Sequence, residues 1–378
     1  MKSPKLKYLS MLANLLCCAS ILIGLTSCSL SKKPKLGELK VVAGLDFTPG
    51  GVAVSSEGRV FVSKHAVRPE LDRPNLVELT SKETYLPFPD QNWNRPGQIA
   101  SDRINTAHGV VVDSKNQVWI TDHGNFISTP AQPKLLAYDI ESKTLSFSYL
   151  LPNETAKIGS FIEHLAVDEK NGFVFLADLN LSQKPGLIVV DTKNSQSWRY
   201  EGLKEFEPEN IDLYVSNRVV TSPDASGKPV PARVGLNAIT LSSDNETLFF
   251  GSMNGLSWFS LPAKLLREHK KITELQTSVL TVGPKPICDG AITDSRGIHY
   301  FANLGANSVD YLDTDGILKR LITDYRLRWA ESIGVGPGGW LYLAASQIDK
   351  APLLNGGKEE GKPPYLILKV FSGSPQEK

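Results

Sequence analysis

Residues 108–122 read HGVVVDSKNQVWITD, two apolar runs joined by a polar turn. Each run is short and rich in Val, Ile or Trp, and polar turn residues separate the two, which is the pattern of a β-hairpin. The same phrase recurs five more times, at residues 50–63, 163–178, 236–252, 288–302 and 331–345. A repeat every roughly 40–75 residues with about four strands in each unit predicts the blades of a propeller.

Further apolar runs complete each repeat with two more strands, for example 135–140 (LLAYDI) and 145–150 (LSFSYL). The first strand of each hairpin is almost wholly apolar, which suits a strand buried on both faces. We therefore predict an all-β fold, a six-bladed β-propeller with four-stranded antiparallel blades, over residues 39–371. Strands from both ends of the chain are expected to share one blade and close the ring. Only residues 261–276 predict a helix, which we place on the rim.

The first 28 residues have the pattern of an export signal. Lys2, Lys5 and Lys7 precede an apolar stretch from Leu9 to Leu25, which is short and modest for a transmembrane helix. The stretch leads to Thr26-Ser27-Cys28, which resembles a bacterial lipobox, so we expect cleavage and lipidation at Cys28. An ordinary signal peptide cleaved nearby is the alternative.

This lipobox predicts an exported bacterial lipoprotein at the outer membrane, in the periplasm or on the cell surface, and otherwise a secreted protein. Residues 29–38 then form a basic tether, and residues 372–378 a disordered polar tail. With Cys17 and Cys18 removed and Cys28 lipidated, Cys288 is left without a disulfide partner. We expect a buried, inert thiol there.

The charge balance gives no reason to expect a nucleic-acid partner. The formal net charge is only +1, and aromatic residues make up an ordinary 8% of the chain. Neither a basic surface nor an aromatic stacking platform is therefore indicated. We expect a monomer that binds a small molecule and that contacts the membrane only through its lipid anchor.

Polar residues stand where the predicted inner strands begin, and inner strands of a propeller converge on its axis. They are His108, Glu163 with His164, Asn237, Asp289, and Glu331 with Ser332. Oxygen ligands from Glu163, Asn237 and Asp289 suit Ca²⁺ or another divalent cation. His108, His164 and Glu331 are the candidate catalytic residues, because an imidazole can act as a general base near neutral pH. The alternative is that these polar groups bond neighbouring blades or tunnel water.

Other histidines carry less information. His123 follows a second strand, and we interpret it as a loop residue or an inter-blade hydrogen-bonding group. His65, His269 and His299 show no pattern that indicates a function.

The fourth repeat resembles the signature blade of the yellow/major royal jelly protein family. The resemblance lies in GLNAITLSSDNETLFFGS (235–252), with weaker likeness in PICDG (286–290) and WAES (329–332). Members of that family from insects are associated with pigment chemistry, including dopachrome conversion, and with binding of amines or sterols. The resemblance implies a propeller that binds a small molecule in its tunnel and that isomerises it if the protein is an enzyme.

A more distant resemblance is to the gluconolactonase/senescence-marker propellers, which hold a divalent cation in the axial tunnel. Their Asn and Asp ligands match Asn237 (LNAI) and Asp289 (CDGA) of this chain. A Glu ligand at the start of their first blade is replaced here by Gly50-Gly51. This resemblance implies a metal-dependent lactonase or related hydrolase. A scaffold propeller that binds proteins through its rim loops is the third hypothesis.

Overall fold

The computed structural model describes residues 33–68, 72–124 and 133–373. In this part of the chain six four-stranded antiparallel sheets succeed one another, which confirms the predicted six-bladed propeller. The first strand, β1 (Leu39–Leu45), belongs to the last blade. Cys28 and the predicted signal lie outside the described residues, as do positions 374–378 of the predicted tail.

Blades 1 to 3 each begin with an innermost strand and proceed outward in chain order. Blade 1 contains β2 (Pro49–Val54), β3 (Val60–Lys64), β4 (Leu76–Leu79) and β5 (Tyr85–Pro87). Blade 2 contains β6 (Ala107–Val112), β7 (Gln117–Asp122), β8 (Lys134–Asp139) and β9 (Leu145–Leu150). Blade 3 contains β10 (Ile162–Asp168), β11 (Phe173–Asp178), β12 (Gly186–Asp191) and β13 (Gln196–Glu201).

Two small hairpins separate blade 3 from blade 4. They are formed by β14 (Tyr214–Val215) with β15 (Arg218–Val219) and by β16 (Thr221–Pro223) with β17 (Pro229–Pro231). Blade 4 follows, with β18 (Leu236–Leu241), β19 (Thr247–Ser252), β20 (Ser257–Pro262) and β21 (Leu280–Pro284).

Blade 6 closes the ring with strands from both ends of the chain. Blade 5 contains β22 (Cys288–Thr293), β23 (His299–Asn303), β24 (Ser308–Leu312) and β25 (Leu318–Thr323). Blade 6 contains β26 (Ala330–Gly336), β27 (Trp340–Ala345), β28 (Tyr365–Phe371) and finally β1. Strand β1 pairs antiparallel with β28, from Leu39 opposite Val370 to Leu45 opposite Tyr365. The backbone hydrogen bonds of β28 are thereby satisfied on both sides, and the ring is tied shut.

The hydrophobic core is divided among the six interfaces between neighbouring blades. Blades 1 and 2, for example, meet through Phe61, Phe88 and Tyr138, all of which are fully buried. Blades 4 and 5 meet around Trp258 and Phe301, whose rings make an edge-to-face contact. Since each fully buried apolar side chain stabilises the fold by about 1.5–3 kcal/mol, these facing surfaces hold the disc together.

The segment predicted as one helix forms two short helices instead. They are α1 (Ala263–Arg267) and α2 (Ile272–Ser278), and the backbone between them turns at His269, whose φ is 50°. A left-handed residue cannot continue a right-handed helix, so the predicted helix over 261–276 is interrupted. Leu266 and Leu275 pack into the interface of blades 3 and 4, as expected for a rim element. None of the helices in the described part of the chain is long and apolar enough to span a bilayer.

One end of the propeller carries a cap formed by residues 211–234 and 346–355. Its apolar residues, including Val215 and Ile348, pack around Trp329 in a seventh cluster. Other members of this cluster, such as Met253 and Leu304, follow directly after second strands. Inner strands begin and second strands end on the same face of the disc, so the cap lies over the face where the inner strands begin.

Candidate functional site

The second residue of every inner strand occupies an equivalent place in a ring around the axis. The ring consists of Gly50, His108, Glu163, Asn237, Asp289 and Glu331. At this point each inner strand loses regular pairing with its neighbour, for example between Cys288 and Ala291 of blade 5. Such irregularities re-aim a side chain, and here they occur once in each blade at the same position.

Three carboxylates and one amide of this ring form a compact cluster. The amide Nδ2 of Asn237 donates to Glu163 Oε2 and to Asp289 Oδ1, at 2.9 Å each. One oxygen from each of Glu163, Asp289 and Glu331 lies within 4.8 Å of the others. All four side chains are buried. Blades 3 to 6 each supply one member, so only a closed ring brings the cluster together.

Two histidines flank the cluster on the side of blades 1 and 2. The Nε2 atom of His108 lies 3.1 Å from Glu331 Oε1 and 3.5 Å from Glu163 Oε1. His65 places its Nε2 3.3 Å from the same oxygen of Glu331. Its Nδ1 accepts a hydrogen bond from the backbone N–H of Val67. Because Nδ1 is an acceptor, neutral His65 carries its proton on Nε2 and donates it toward Glu331.

Glycine at position 50 is explained by the space that His108 needs. A Cβ at Gly50 would lie 3.2 Å from His108 Nδ1 and 3.1 Å from Ser63 Oγ. Blade 1 therefore contributes no ring side chain, and His65, which follows β3, supplies an imidazole nearby. No carboxylate stands at Gly50-Gly51, and the carboxylates of the ring are those of Glu163, Asp289 and Glu331.

Trp329 joins the cluster from outside the ring. It directly precedes β26, is buried in the cap cluster, and donates its indole N–H to Asp289 Oδ2 at 2.7 Å. The two oxygens of Asp289 thus have different partners, since Oδ1 accepts from Asn237.

Electrostatics within the cluster are dominated by burial. Burial, followed by the charges of Glu331 and Glu163, raises the pKa of Asp289 well above its ordinary value. Burial also raises the pKa of Glu163 to about 7, although contact with His108 opposes this. A buried carboxylate without a neutralising partner favours the protonated form. The cluster therefore has more acidic groups than the positive charge around it can balance.

His108 and Glu331 behave as an ion pair. Burial opposes charge on both, but their contact outweighs it: the pKa of His108 is raised to about 9 by Glu163 and Glu331. The pKa of Glu331 is held well below its ordinary value by His65 and His108. A raised pKa favours the protonated form of His108, which donates toward Glu331 and Glu163. Burial, with the charge of His108, lowers the pKa of His164 to about 4, so that this imidazole is neutral.

A cavity of about 50 Å³ lies in the axial tunnel next to the ring. Its polar lining comes from His108, Glu163, His164 and Glu331, together with Ser332. The rest is mostly aliphatic and is contributed by inner strands, including Val52, Leu165, Ile239, Ile292 and Ile333. Away from the ring the inner strands become half-exposed, as at Val112, Val167 and Leu241. The cap lies over the ring end, and the inner strands are thus more exposed toward the opposite face of the disc.

The donor set of the cluster fits a divalent cation. Hard cations such as Mg²⁺, Mn²⁺ and Ca²⁺ prefer carboxylate and amide oxygens. Two buried oxygens of the cluster, Asn237 Oδ1 and Glu331 Oε2, have no hydrogen-bond partner. Unpaired buried oxygens are costly, and a bound water or ion commonly satisfies them. A half-turn of the Asn237 amide would exchange its donor for this unpaired acceptor.

The structure brings together most of the residues that the sequence singled out. His108, Glu163, Asn237, Asp289 and Glu331 meet at the axis, whereas His164 lies one position further along β10 and faces the cavity. His123 accepts the backbone N–H of Ile162 at 3.1 Å, in keeping with the predicted inter-blade role. Cys288 is a buried free thiol, as expected.

His65 and Trp329 are the residues that sequence reasoning missed. His65 follows a second strand rather than preceding an inner strand, so the repeat pattern gave it no distinction. Trp329 did carry a usable pattern, because a bulky aromatic residue stands immediately before an inner strand.

Comparison with solved structures shows the same fold in several enzymes and binding proteins. A gluconolactonase from Xanthomonas campestris is 13% identical over 91% of this chain and 93% of its own, with a TM-score of 0.53. A luciferin-regenerating enzyme is 10% identical over 90% and 99%, with a TM-score of 0.54. A calcium-binding regucalcin from Agrobacterium tumefaciens is 14% identical over 90% and 98%, with a TM-score of 0.50. Such low identities establish the fold alone.

Sequence comparison places the chain in a family. No curated protein matches it. The model of the family described as major royal jelly protein, however, matches residues 105–321, which is more than half of the chain and spans blades 2 to 5. The chain therefore belongs to the major royal jelly protein family, the family that its fourth blade resembles.

Proposed function

We propose that this protein is an exported propeller that binds a divalent cation at Glu163, Asn237, Asp289 and Glu331, and with it a small oxygen-containing molecule in the axial tunnel. The observation that carries the proposal is the burial of three carboxylates from three blades around one amide. A regucalcin with the same fold is a calcium-binding protein, which adds support from a relative in fold.

Charge balance favours a cation over an empty cluster. Within the described part of the chain, only His108 and His65 can bring positive charge into contact with the three buried carboxylates, and His65 is shifted toward its neutral form because burial lowers its pKa. Buried charges are retained in proteins when they are paired or coordinate a metal. A divalent ion among these oxygens would supply the missing charge.

The cavity determines what reaches the site. A bound cation would supply a Lewis acid for a carbonyl or other oxygen of the ligand. His164 and Glu163 line the polar end of the cavity, where they orient the oxygen-bearing end of the ligand by hydrogen bonding. The aliphatic wall accommodates the apolar part of the ligand and excludes water. A lactone or a phenolic carbonyl compound combines these two features. Both the isomerase and the lactonase hypotheses remain within this class of ligand.

Metal analysis tests the cation. The purified propeller should contain about one equivalent of a divalent ion, or should bind one after treatment with a chelator. A cation at about 100 times its dissociation constant should raise the free energy of unfolding by about 2.7 kcal/mol. Asp289→Asn should abolish this stabilisation, because it removes one charge from the cluster.

Glu141→Gln is the matched control, since its carboxylate is 66% exposed at the surface and should leave cation binding unchanged. Absence of cation binding in the unsubstituted protein, or equal binding by Asp289→Asn, would refute the cation site.

Ligand binding is tested separately on the cation-loaded protein. A thermal-shift screen of lactones and phenolic carbonyl compounds identifies a ligand. Ile292→Trp should weaken its binding, because Ile292 lines the cavity and is half-buried. Ile317→Trp is the control, since Ile317 is 56% exposed and outside the cavity lining. Equal binding by both variants would place the ligand elsewhere.

Export with a lipid anchor at Cys28 is part of the same proposal, and its support is the lipobox-like sequence at residues 25–28. The full chain expressed in a Gram-negative host should incorporate a labelled fatty acid and fractionate with membranes. Cys28→Ser should abolish labelling, whereas Cys288→Ser should not affect it. Labelling that persists in Cys28→Ser would refute the anchor.

A further inference from the structure

We propose that Trp329 sets the cation preference of the axial site by withholding one oxygen of Asp289, so that the site favours Mg²⁺ or Mn²⁺ over Ca²⁺. This inference rests on the proposed cation site and adds a residue outside the ring of equivalent positions.

The two oxygens of Asp289 are divided between different neighbours. Oδ2 accepts the indole N–H of Trp329 at 2.7 Å, which is a short, charge-assisted hydrogen bond if the carboxylate is ionised. Oδ1 faces the cluster, where it lies 2.9 Å from the amide nitrogen of Asn237. Asp289 is fully buried, so no solvent competes for either oxygen. A carboxylate held in this way offers a cation one oxygen.

The number of oxygens that Asp289 offers affects which divalent cation the site prefers. Ca²⁺ takes six to eight oxygen ligands and binds carboxylates through one or both oxygens. Mg²⁺ is smaller, requires near-octahedral geometry and is usually bound through one or two carboxylates and water. Limiting Asp289 to one oxygen lowers the number of protein oxygens at the site, which disfavours the six to eight ligands of Ca²⁺ relative to the six of an octahedral Mg²⁺ or Mn²⁺. Groups that hydrogen-bond to metal ligands commonly change affinity 10- to 100-fold.

Trp329 is held rigidly enough to exert this restriction. Its backbone has φ of 47°, a left-handed conformation that is uncommon for a bulky residue. Its carbonyl accepts two hydrogen bonds from Ser346, from the backbone N–H at 3.0 Å and from Oγ at 2.9 Å. The indole is only 2% exposed among the apolar side chains of the cap. The ring thus cannot turn away from Asp289 without disturbing the cap.

The experiment compares dissociation constants for Ca²⁺ and Mn²⁺ in the unsubstituted protein and in Trp329→Phe, by calorimetry on chelator-treated samples. We expect the unsubstituted protein to prefer Mn²⁺, and the substitution to shift the ratio at least tenfold toward Ca²⁺. Trp258→Phe is the matched control, because Trp258 is fully buried and its indole N–H has no hydrogen-bond partner. It should leave the ratio unchanged.

An unchanged ratio of the two dissociation constants in folded Trp329→Phe would overturn the inference while leaving the cation site intact. Failure of the unsubstituted protein to bind either ion would refute the site itself.

A second measurement covers the case in which Trp329→Phe does not fold. The indole N–H of Trp329 in ¹⁵N-labelled protein should stay protected from hydrogen exchange in the Ca²⁺-loaded and Mn²⁺-loaded states. Loss of protection with Ca²⁺ alone would show that Asp289 is free to use both oxygens, contrary to the inference.

Discussion

Gly290→Ala should destabilise the propeller because the inner strands of blades 5 and 6 approach too closely for a side chain. A Cβ at Gly290 would lie 2.7 Å from the Cα of Ser332 and 2.9 Å from the carbonyl oxygen of Glu331. Carbon atoms normally pack at about 3.5–4.0 Å, so β22 and β26 would have to separate by about 1 Å. The atoms involved are backbone atoms of a buried strand and cannot simply turn aside.

The magnitude follows from two opposing effects. Overpacking a well-packed interior typically costs about 1–3 kcal/mol, and backbone contacts place this case at the upper end. Replacing glycine by alanine also restricts the unfolded chain, which returns about 0.4–1 kcal/mol. We expect a net loss of about 2 kcal/mol in the free energy of unfolding.

Urea unfolding followed by tryptophan fluorescence and circular dichroism measures this loss, provided that the two transitions coincide. Gly305→Ala is the control, because its Cβ would meet no atom closer than 3.4 Å. It should be neutral or slightly stabilising. Equal unfolding midpoints for the two variants would refute the argument that close approach of inner strands requires Gly290. The same variant should weaken cation binding, since Asp289 and Glu331 would move apart.

Three further predictions concern the fold. Burial lowers the pKa of His299 to about 4, so the unfolded state binds more protons between about pH 4 and 6.5, and the free energy of unfolding falls as the pH drops through that window. The shift corresponds to about 3 kcal/mol, so the free energy of unfolding of His299→Gln, measured between pH 4 and 7, should fall less steeply with decreasing pH. An unchanged pH dependence in His299→Gln would count against this role of His299. Ser63 Oγ accepts the N–H of Gly51 and donates to the carbonyl of His108, so Ser63→Ala should cost about 2–3 kcal/mol in urea unfolding. A loss below about 0.5 kcal/mol would contradict this expectation. Removal of β1 with all residues before it should abolish cooperative unfolding, because β28 becomes a free edge. Removal of residues 1–34 alone is the control and should leave unfolding cooperative. Cooperative thermal unfolding of both truncated proteins would show that β1 is dispensable.

The sequence predicted the fold because the determinants of a blade are local. Alternating apolar runs and polar turns specify a hairpin within about 15 residues, and six copies specify the ring. The interrupted helix at His269 is the exception, since the apolar face of residues 261–276 gives no indication of a left-handed residue. The ring of polar residues was also predictable, because equivalent positions in a repeat share one place relative to the axis.

The sequence by itself determined which side chains meet at the axis, since each one stands at the start of an inner strand. Only the tertiary structure decided how they are paired and covered. His65 comes from a segment that the repeat pattern does not distinguish, whereas Trp329 stands immediately before an inner strand. They contact Glu331 and Asp289 because ring closure and the cap bring distant segments together. The physical reason is that the periodicity of the sequence determines which way each side chain of a strand points. Burial, hydrogen bonding and charge at the site depend instead on neighbours in space that are tens to hundreds of residues apart in the sequence.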